Sequence, residues 1–207
     1  NQFTSTNTLS FSGIETLAGG NSVDIFNLSG TQPHDLLGGN GNDRFVFADN
    51  SQLNGDLDGQ LGNDELDFSA YTSARRIVLT AVGTDDGFDG KDYSPTPSVS
   101  GLFKNMNALI GSSDIFSDDI LVGLNMPGRW TVTALSTYQA NPSLTFAGFE
   151  TLVGGDAADT FTIIGAQGMT ILGGDGDDKF VLPSGASVTG TISGQGGADT
   201  LEYGLSA

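Results

Sequence analysis

Large apolar residues recur along this chain at a fixed distance from aspartates. Phe26, Phe45 and Leu66 stand two residues after Asp24, Asp43 and Asp64; Phe161, Phe180 and Leu201 stand two residues after Asp159, Asp178 and Asp199. Within each set the aspartates are 19 and 21 residues apart. Each aspartate closes a Gly-rich stretch and opens a short run, such as RFVF or KFVL, in which side chains can alternate between two faces. Gly, Asn and Asp favour turns, and the alternating runs favour strands. The pattern therefore predicts an all-β chain wound as a right-handed parallel β-solenoid with coils of about 19–21 residues. Phe26, Phe45 and Leu66 would form one inward column and Phe161, Phe180 and Leu201 another, with coils ~4.8 Å apart.

A longer period encloses the short one. FSGIETLAGG at 11–20 returns as FAGFETLVGG at 146–155, and LLGGNGNDRFVF at 36–47 as ILGGDGDDKFVL at 171–182. Residues 1–72 align with 136–207 without a gap, a shift of 135. The chain is expected to be a single solenoid segment over 1–207, one and a half repeats of a longer tandem array, with neighbouring repeats covering its ends. Two stretches break the rhythm. Residues 84–100 (TDDGFDGKDYSPTPSVS) show no alternation and are expected as an inserted surface loop; residues 125–143 keep only the strand signal RWTVTAL. FKNMNALIG (103–111) is the one short helix candidate, and Asp119 with Leu121 is a degenerate member of the Asp-x-apolar series. About nine coils predict a rod of roughly 40 Å.

Composition narrows the function. Asp+Glu number 25 against Lys+Arg 7, a formal net charge of −18, and the acids are 21 Asp to 4 Glu. Asp suits turns and hard-cation sites better than helices. Such a charge repels nucleic acid and anionic membrane surfaces, and no apolar run is long enough for a membrane-spanning helix. The absence of Cys removes disulfides, thiolate metal sites and a Cys nucleophile. The lone His34 sits between Pro33 and Asp35, where a surface turn is the expected role.

GGNGND (38–43) and GGDGDD (173–178), each followed two residues later by Phe, fit the G-G-x-G-x-D-x-U-x pattern of calcium-binding β-helices. Glycines permit positive φ, so carbonyl oxygens can converge; Asp adds a hard oxygen ligand. The chain resembles the long repeats of giant bacterial surface or adhesin-like proteins with RTX-type turns, through FSGIETLAGG, GGNGNDRF and RWTVTAL. The resemblance implies a secreted, extracellular or cell-surface protein ordered by calcium. Its candidate ligands are Asp24, Gly39, Gly41, Asp43, Asp64, Asp159, Gly174, Gly176, Asp178 and Asp199. Several turns depart from the motif: Ser22 and Ala157 replace the third glycine, and Gln60 and Gln195 the second. The competing reading is that these aspartates cap turns through side chain–backbone hydrogen bonds with no ion.

The expected role is a structural or adhesive repeat segment, a stiff acidic rod in a fibre or surface layer, with no catalytic residues. Its partners would be adjacent repeats, other copies of itself or surface polysaccharide. The alternative is a β-helix polysaccharide lyase or epimerase, or its carbohydrate-binding module. Arg75, Arg76, Tyr71 and the acids of 85–92 would be its candidates, although net charge disfavours a polyuronate substrate. Residues flanking the inward Phe positions (Ile25/Asn27, Arg44/Val46, Lys179/Val181) form no threonine ladder of the kind that an ice-binding surface requires.

Overall fold

A computed structural model describes residues 12–114 and 118–205. Phe11, the first residue of the motif FSGIETLAGG, lies outside the described residues. Among the described residues there is no helix. The strands fall into two ten-stranded sheets and two short two-stranded ones, and along the chain they alternate between the two large sheets over most of the sequence. Thr16–Ala18, Asp35–Asn40 and Leu57–Leu61 lie side by side in the first sheet; Ile25–Leu28, Arg44–Phe47 and Glu65–Asp67 lie side by side in the second. These neighbours are parallel. The C-terminal half repeats the arrangement with Thr151–Gly155, Thr170–Asp175 and Ile192–Gly196, and with Thr160–Ile163, Lys179–Pro183 and Thr200–Leu205.

The apolar columns follow the register. Phe26 pairs with Phe45 and Phe45 with Leu66; Phe161 pairs with Phe180 and Phe180 with Leu201. The Phe26 and Phe45 rings stack 5.0 Å apart, those of Phe161 and Phe180 5.3 Å, close to the spacing of adjacent strands. Phe45, Leu66 and Phe161 are fully buried, Phe26 is partly buried, and Leu201, on the outermost strand of its sheet, is 59% exposed because no further strand covers it.

Two strands run against the rest. Phe88–Asp92 pairs antiparallel with Arg76–Val82 and with Phe103–Met106, and Ser136–Gln139 pairs antiparallel with Arg129–Val132 and Ser143–Ala147. Residues 84–100 are therefore not a loop throughout. The segment 88–92 is an interior strand with alternating burial, and the sequence conceals this because its inward positions are Phe88, Gly90 and Asp92. Gly90 is small because the Phe103 ring fills the space a Cβ would take. Asp92 is inward because it is fully engaged: it accepts from the amides and hydroxyls of Ser94 and Ser98, and the Arg75 guanidinium lies 3.5 Å away.

The helix expected over 103–111 is instead two strands, Phe103–Met106 and Ala108–Ile110, one in each large sheet. Asn105, within the first of them, adopts a left-handed φ of 56°. The three-residue spacing of buried Phe103, Met106 and Leu109 is thus a bent strand pair imitating a helical face. Residues 125–143 contain the expected strand, Arg129–Val132, and its antiparallel neighbour; Trp130 is fully buried and stacks on Phe161 at 5.4 Å.

Candidate metal centre: the aspartate columns

Each turn aspartate is tied to the turn beside it by one repeated hydrogen bond. The Asp24 amide donates to Asp43 Oδ1 (2.8 Å), the Asp43 amide to Asp64 Oδ1 (2.7 Å) and the Asp64 amide to Asn107 Oδ1 (3.0 Å). A second column runs from the Gly128 amide to Asp159 Oδ1 (2.7 Å), then Asp159 to Asp178 (2.8 Å) and Asp178 to Asp199 (3.0 Å). A third joins the Arg75 amide to Asp119 Oδ1 (2.6 Å) and the Asp119 amide to Glu150 Oε2 (2.9 Å).

Sequence reasoning found the aspartates of these columns and missed Asn107, Glu150, Arg75 and Gly128. A signal for them was present. Buried Leu109, Leu152, Ile77 and Trp130 follow them at two residues, as Phe45 follows Asp43. The position is marked by the inward residue that follows it, and the residue there need not be acidic.

The second carboxylate oxygens are a different matter. Asp43, Asp64, Asp159 and Asp178 are each at most 1% exposed, and the Oδ2 of each is buried without a hydrogen-bond partner. Each of these oxygens sits against the first glycine of its own turn, beside a backbone carbonyl of the next layer. A Cβ on Gly38 would lie 2.5 Å from Asp43 Oδ2 and 2.6 Å from the Gly59 carbonyl. A Cβ on Gly59 would lie 2.5 Å from Asp64 Oδ2 and 2.8 Å from the Asn105 carbonyl. Gly154 and Gly173 hold the same place beside Asp159 and Asp178. The first glycine of the motif is therefore required by the carboxylate it faces. The second and third serve the backbone: Gly39, Gly41, Gly174 and Gly176 have φ of 106°, 132°, 104° and 110°.

Burial without full compensation makes these carboxyls weaker acids. Desolvation is the largest cause at every one of these sites. It lifts Asp64 and Asp159 to about 7 and Asp119 to about 6, and it raises Asp43 and Asp178. The amide donated to each carboxylate opposes the shift, while the next aspartate in the column adds to it. The Trp130 indole N–H faces Asp159 without closing a hydrogen bond. Asp24 is half-buried, with the Gly20 amide on its Oδ2 at 2.6 Å, and Asp199 is exposed on the last strand pair.

The structure thus brings the candidate ligands together as columns. Among the described residues no three carboxylate or imidazole side chains converge on one point. A hard cation at these turns would have an Asp Oδ2 and backbone carbonyls as ligands. The unpartnered oxygens and the glycine cradles fit that donor set.

The residues of the enzymatic alternative are brought together only in part. The Arg75 guanidinium is buried over the Tyr71 ring at 4.3 Å, with the Tyr71 hydroxyl on the Ser51 carbonyl. Arg75 donates to the Ser73, Ala74 and Thr96 carbonyls and to Ser73 Oγ. Arg75, Asp92 and the Tyr71 hydroxyl are thus committed to the fold, while Arg76 lies on the outer face. No family model matches the sequence, and no curated protein matches it either.

Proposed function

We propose that this chain is a structural repeat segment, a right-handed β-solenoid forming a stiff acidic rod in a secreted or cell-surface protein, with calcium at its aspartate turns. The observation that carries the reading is the layer-to-layer register. Strands alternate between two sheets, identical apolar positions stack on one another, and each turn carboxylate caps the amide of the neighbouring turn. An architecture of this kind lengthens by adding layers without a new core, which suits a spacer or fibre. The commitment of Arg75, Asp92 and Tyr71 to internal bonds favours scaffold over catalysis.

Calcium enters the proposal through Asp43, Asp64, Asp159 and Asp178, whose Oδ2 atoms are buried and unpartnered. The ion supplies charge compensation that the amides give only to Oδ1. These residues hold the turns in place, and their glycines leave room for hard oxygens to meet.

Small-angle scattering tests the rod. Ten strands per sheet at ~4.8 Å predict a particle of uniform cross-section roughly 40 Å long for this segment. A compact particle of equal axes refutes the solenoid. Melting in millimolar calcium and in chelator tests the ion separately. Equal midpoints remove calcium and leave the rod standing.

A further inference from the structure

The chain has seven Lys and Arg residues. Arg44, Arg75, Lys104 and Lys179 each lie within 4.0 Å of a carboxylate. Among the described residues Arg76, Lys91 and Arg129 have no such partner, in a chain of net charge −18, and Arg76 and Lys91 share one surface. Strand Phe88–Asp92 pairs antiparallel with Arg76–Val82: Lys91 faces Val78, and the Tyr93 amide donates to the Arg76 carbonyl at 2.7 Å. Ile77, Leu79, Gly90 and Asp92 point inward, so Arg76, Val78 and Lys91 stand on the outer face. Tyr93 is 55% exposed, and the Lys91 ammonium lies 5.7 Å from its ring centroid. Ile120 and Val122, in register with Arg76 and Val78 and half-buried, extend the surface.

We propose that this patch binds a carboxylated sugar, carried as an isolated acidic unit on an otherwise neutral glycan. Two like charges on neighbouring strands, neither ion-paired with a carboxylate, repel one another. Together they provide a bidentate carboxylate fork from Arg76 and a point charge from Lys91. Tyr93 offers an exposed aromatic face with a polar tip, suited to the apolar face and hydroxyls of a sugar ring. Net charge sets the rest of the specificity. A polyuronate is repelled by the acidic body of the molecule, whereas one carboxylate faces Arg76 and Lys91, with Asp89 of the same face engaged by the Asn105 amide at 3.0 Å. A second copy of this acidic chain meets the same repulsion over a larger area. The proposal rests on this surface alone and does not require the turns to hold calcium.

The test is titration of the calcium-equilibrated protein with two matched pairs of probes, followed by ligand-observed NMR. The pairs are aldotriouronic acid with xylotriose, and sialyllactose with lactose. At least one acidic member is expected to bind about tenfold more tightly than its neutral partner. The Arg76→Ser/Lys91→Ser variant, melting as wild type does, should lose that preference. Tyr93→Ala should weaken both members of the pair. Arg76→Lys/Lys91→Arg, which keeps the charge, should restore part of the preference. Equal binding of acidic and neutral probes, or a preference that survives the double Ser variant, overturns the proposal. So does a dimer that the double variant abolishes while no probe binds.

Discussion

Replacing Asp64 by Asn separates charge from shape at a turn. Asp64 is fully buried; its Oδ1 accepts the Asp43 amide at 2.7 Å and its Oδ2 has no partner. Asn keeps the Oδ1 acceptor and places an amide N–H₂ where Oδ2 stood, next to the Asn105 carbonyl across Gly59. Burial holds Asp64 at about 7 against an ordinary 3.8. Above pH 7, in a chelator, the ionised side chain then costs the fold up to about 4 kcal/mol. Asp64→Asn removes that cost and closes a hydrogen bond. Relaxation and imperfect geometry reduce the gain to roughly 1–3 kcal/mol, or about 2–12 °C in melting midpoint for a chain of this size. At pH 5 Asp64 is protonated in the fold but ionised in the unfolded chain, so the gain should fall to about a third. In calcium the sign reverses: the variant forfeits a ligand worth about 2.7 kcal/mol at a hundredfold excess over Kd. The assay is thermal unfolding by circular dichroism at pH 5 and pH 8, each with calcium and with chelator. A variant that is less stable than wild type at pH 8 in chelator refutes the burial argument; one that calcium stabilises as much as it does wild type refutes the ligand role.

The wild-type protein in chelator should lose stability as pH rises. Asp64 and Asp159 at about 7 and Asp119 at about 6 hold protons in the fold that the unfolded chain releases near 3.8. Each can therefore cost up to about 1.4 kcal/mol per pH unit between those limits, and urea midpoints from pH 4 to pH 8 should fall and then level off. Gly38→Ala drives a methyl against Asp43 Oδ2 and the Gly59 carbonyl and should cost on the order of 3 kcal/mol. Gly13→Ala, at φ 69° with open space around it, should cost only about 1 kcal/mol, and equal urea midpoints for the two would refute the cradle argument. Phe45→Ala opens a fully buried layer between Phe26 and Leu66 and should cost about 3–5 kcal/mol by urea denaturation. Asp92→Ala strands the buried Arg75 charge and the Ser94 and Ser98 donors; it should destabilise by about 3–5 kcal/mol, with amide exchange accelerated first across 88–98.

Stacking was legible in the sequence wherever an aspartate, a glycine pair and an inward apolar residue coincide. Asp43 with Phe45 and Asp178 with Phe180 show the rule: turn chemistry and strand period agree, and both sheets follow from them. It failed where an inward position is filled by something other than an apolar side chain. Gly90 and Asp92 point into the core for reasons set by Phe103 and Arg75, which lie at other places in the chain. Phe103, Met106 and Leu109 misled in the opposite way, because a left-handed Asn105 folds two short strands into a helical spacing. The columns were half visible. An Asn in place of Asp at 107 keeps the acceptor oxygen and loses the charge, and sequence gave no weight to that substitution.

The departures from the glycine motif divide by physical cause. The first glycine stands in all six Gly-rich turns, at Gly19, Gly38, Gly59, Gly154, Gly173 and Gly194, because an aspartate carboxylate occupies its Cβ space each time. The second position admits Gln60 and Gln195, at φ 67° and 70°, since that left-handed region is strained for a side chain but open to it. The third is glycine at Gly41, Gly62, Gly176 and Gly197, where φ runs from 110° to 147°, beyond what an L-residue adopts cheaply. Where Ser22 and Ala157 take that place, they and the second glycines, Gly20 and Gly155, are absent from the positive-φ residues, so the backbone follows another path. Two turn types therefore share one carboxylate–amide ladder. In both types the carbonyl beside the first glycine is that of the next turn's first glycine: Gly38 at Gly19, Gly59 at Gly38, Gly173 at Gly154 and Gly194 at Gly173. A cation bound at Asp43 or Asp178 meets the glycine-rich type in its own turn and the other type one layer away, at Asp24 or Asp159. The carboxylate oxygen and the carbonyl beside it thus recur alike along a column, and turn type alters only the second and third positions of the motif.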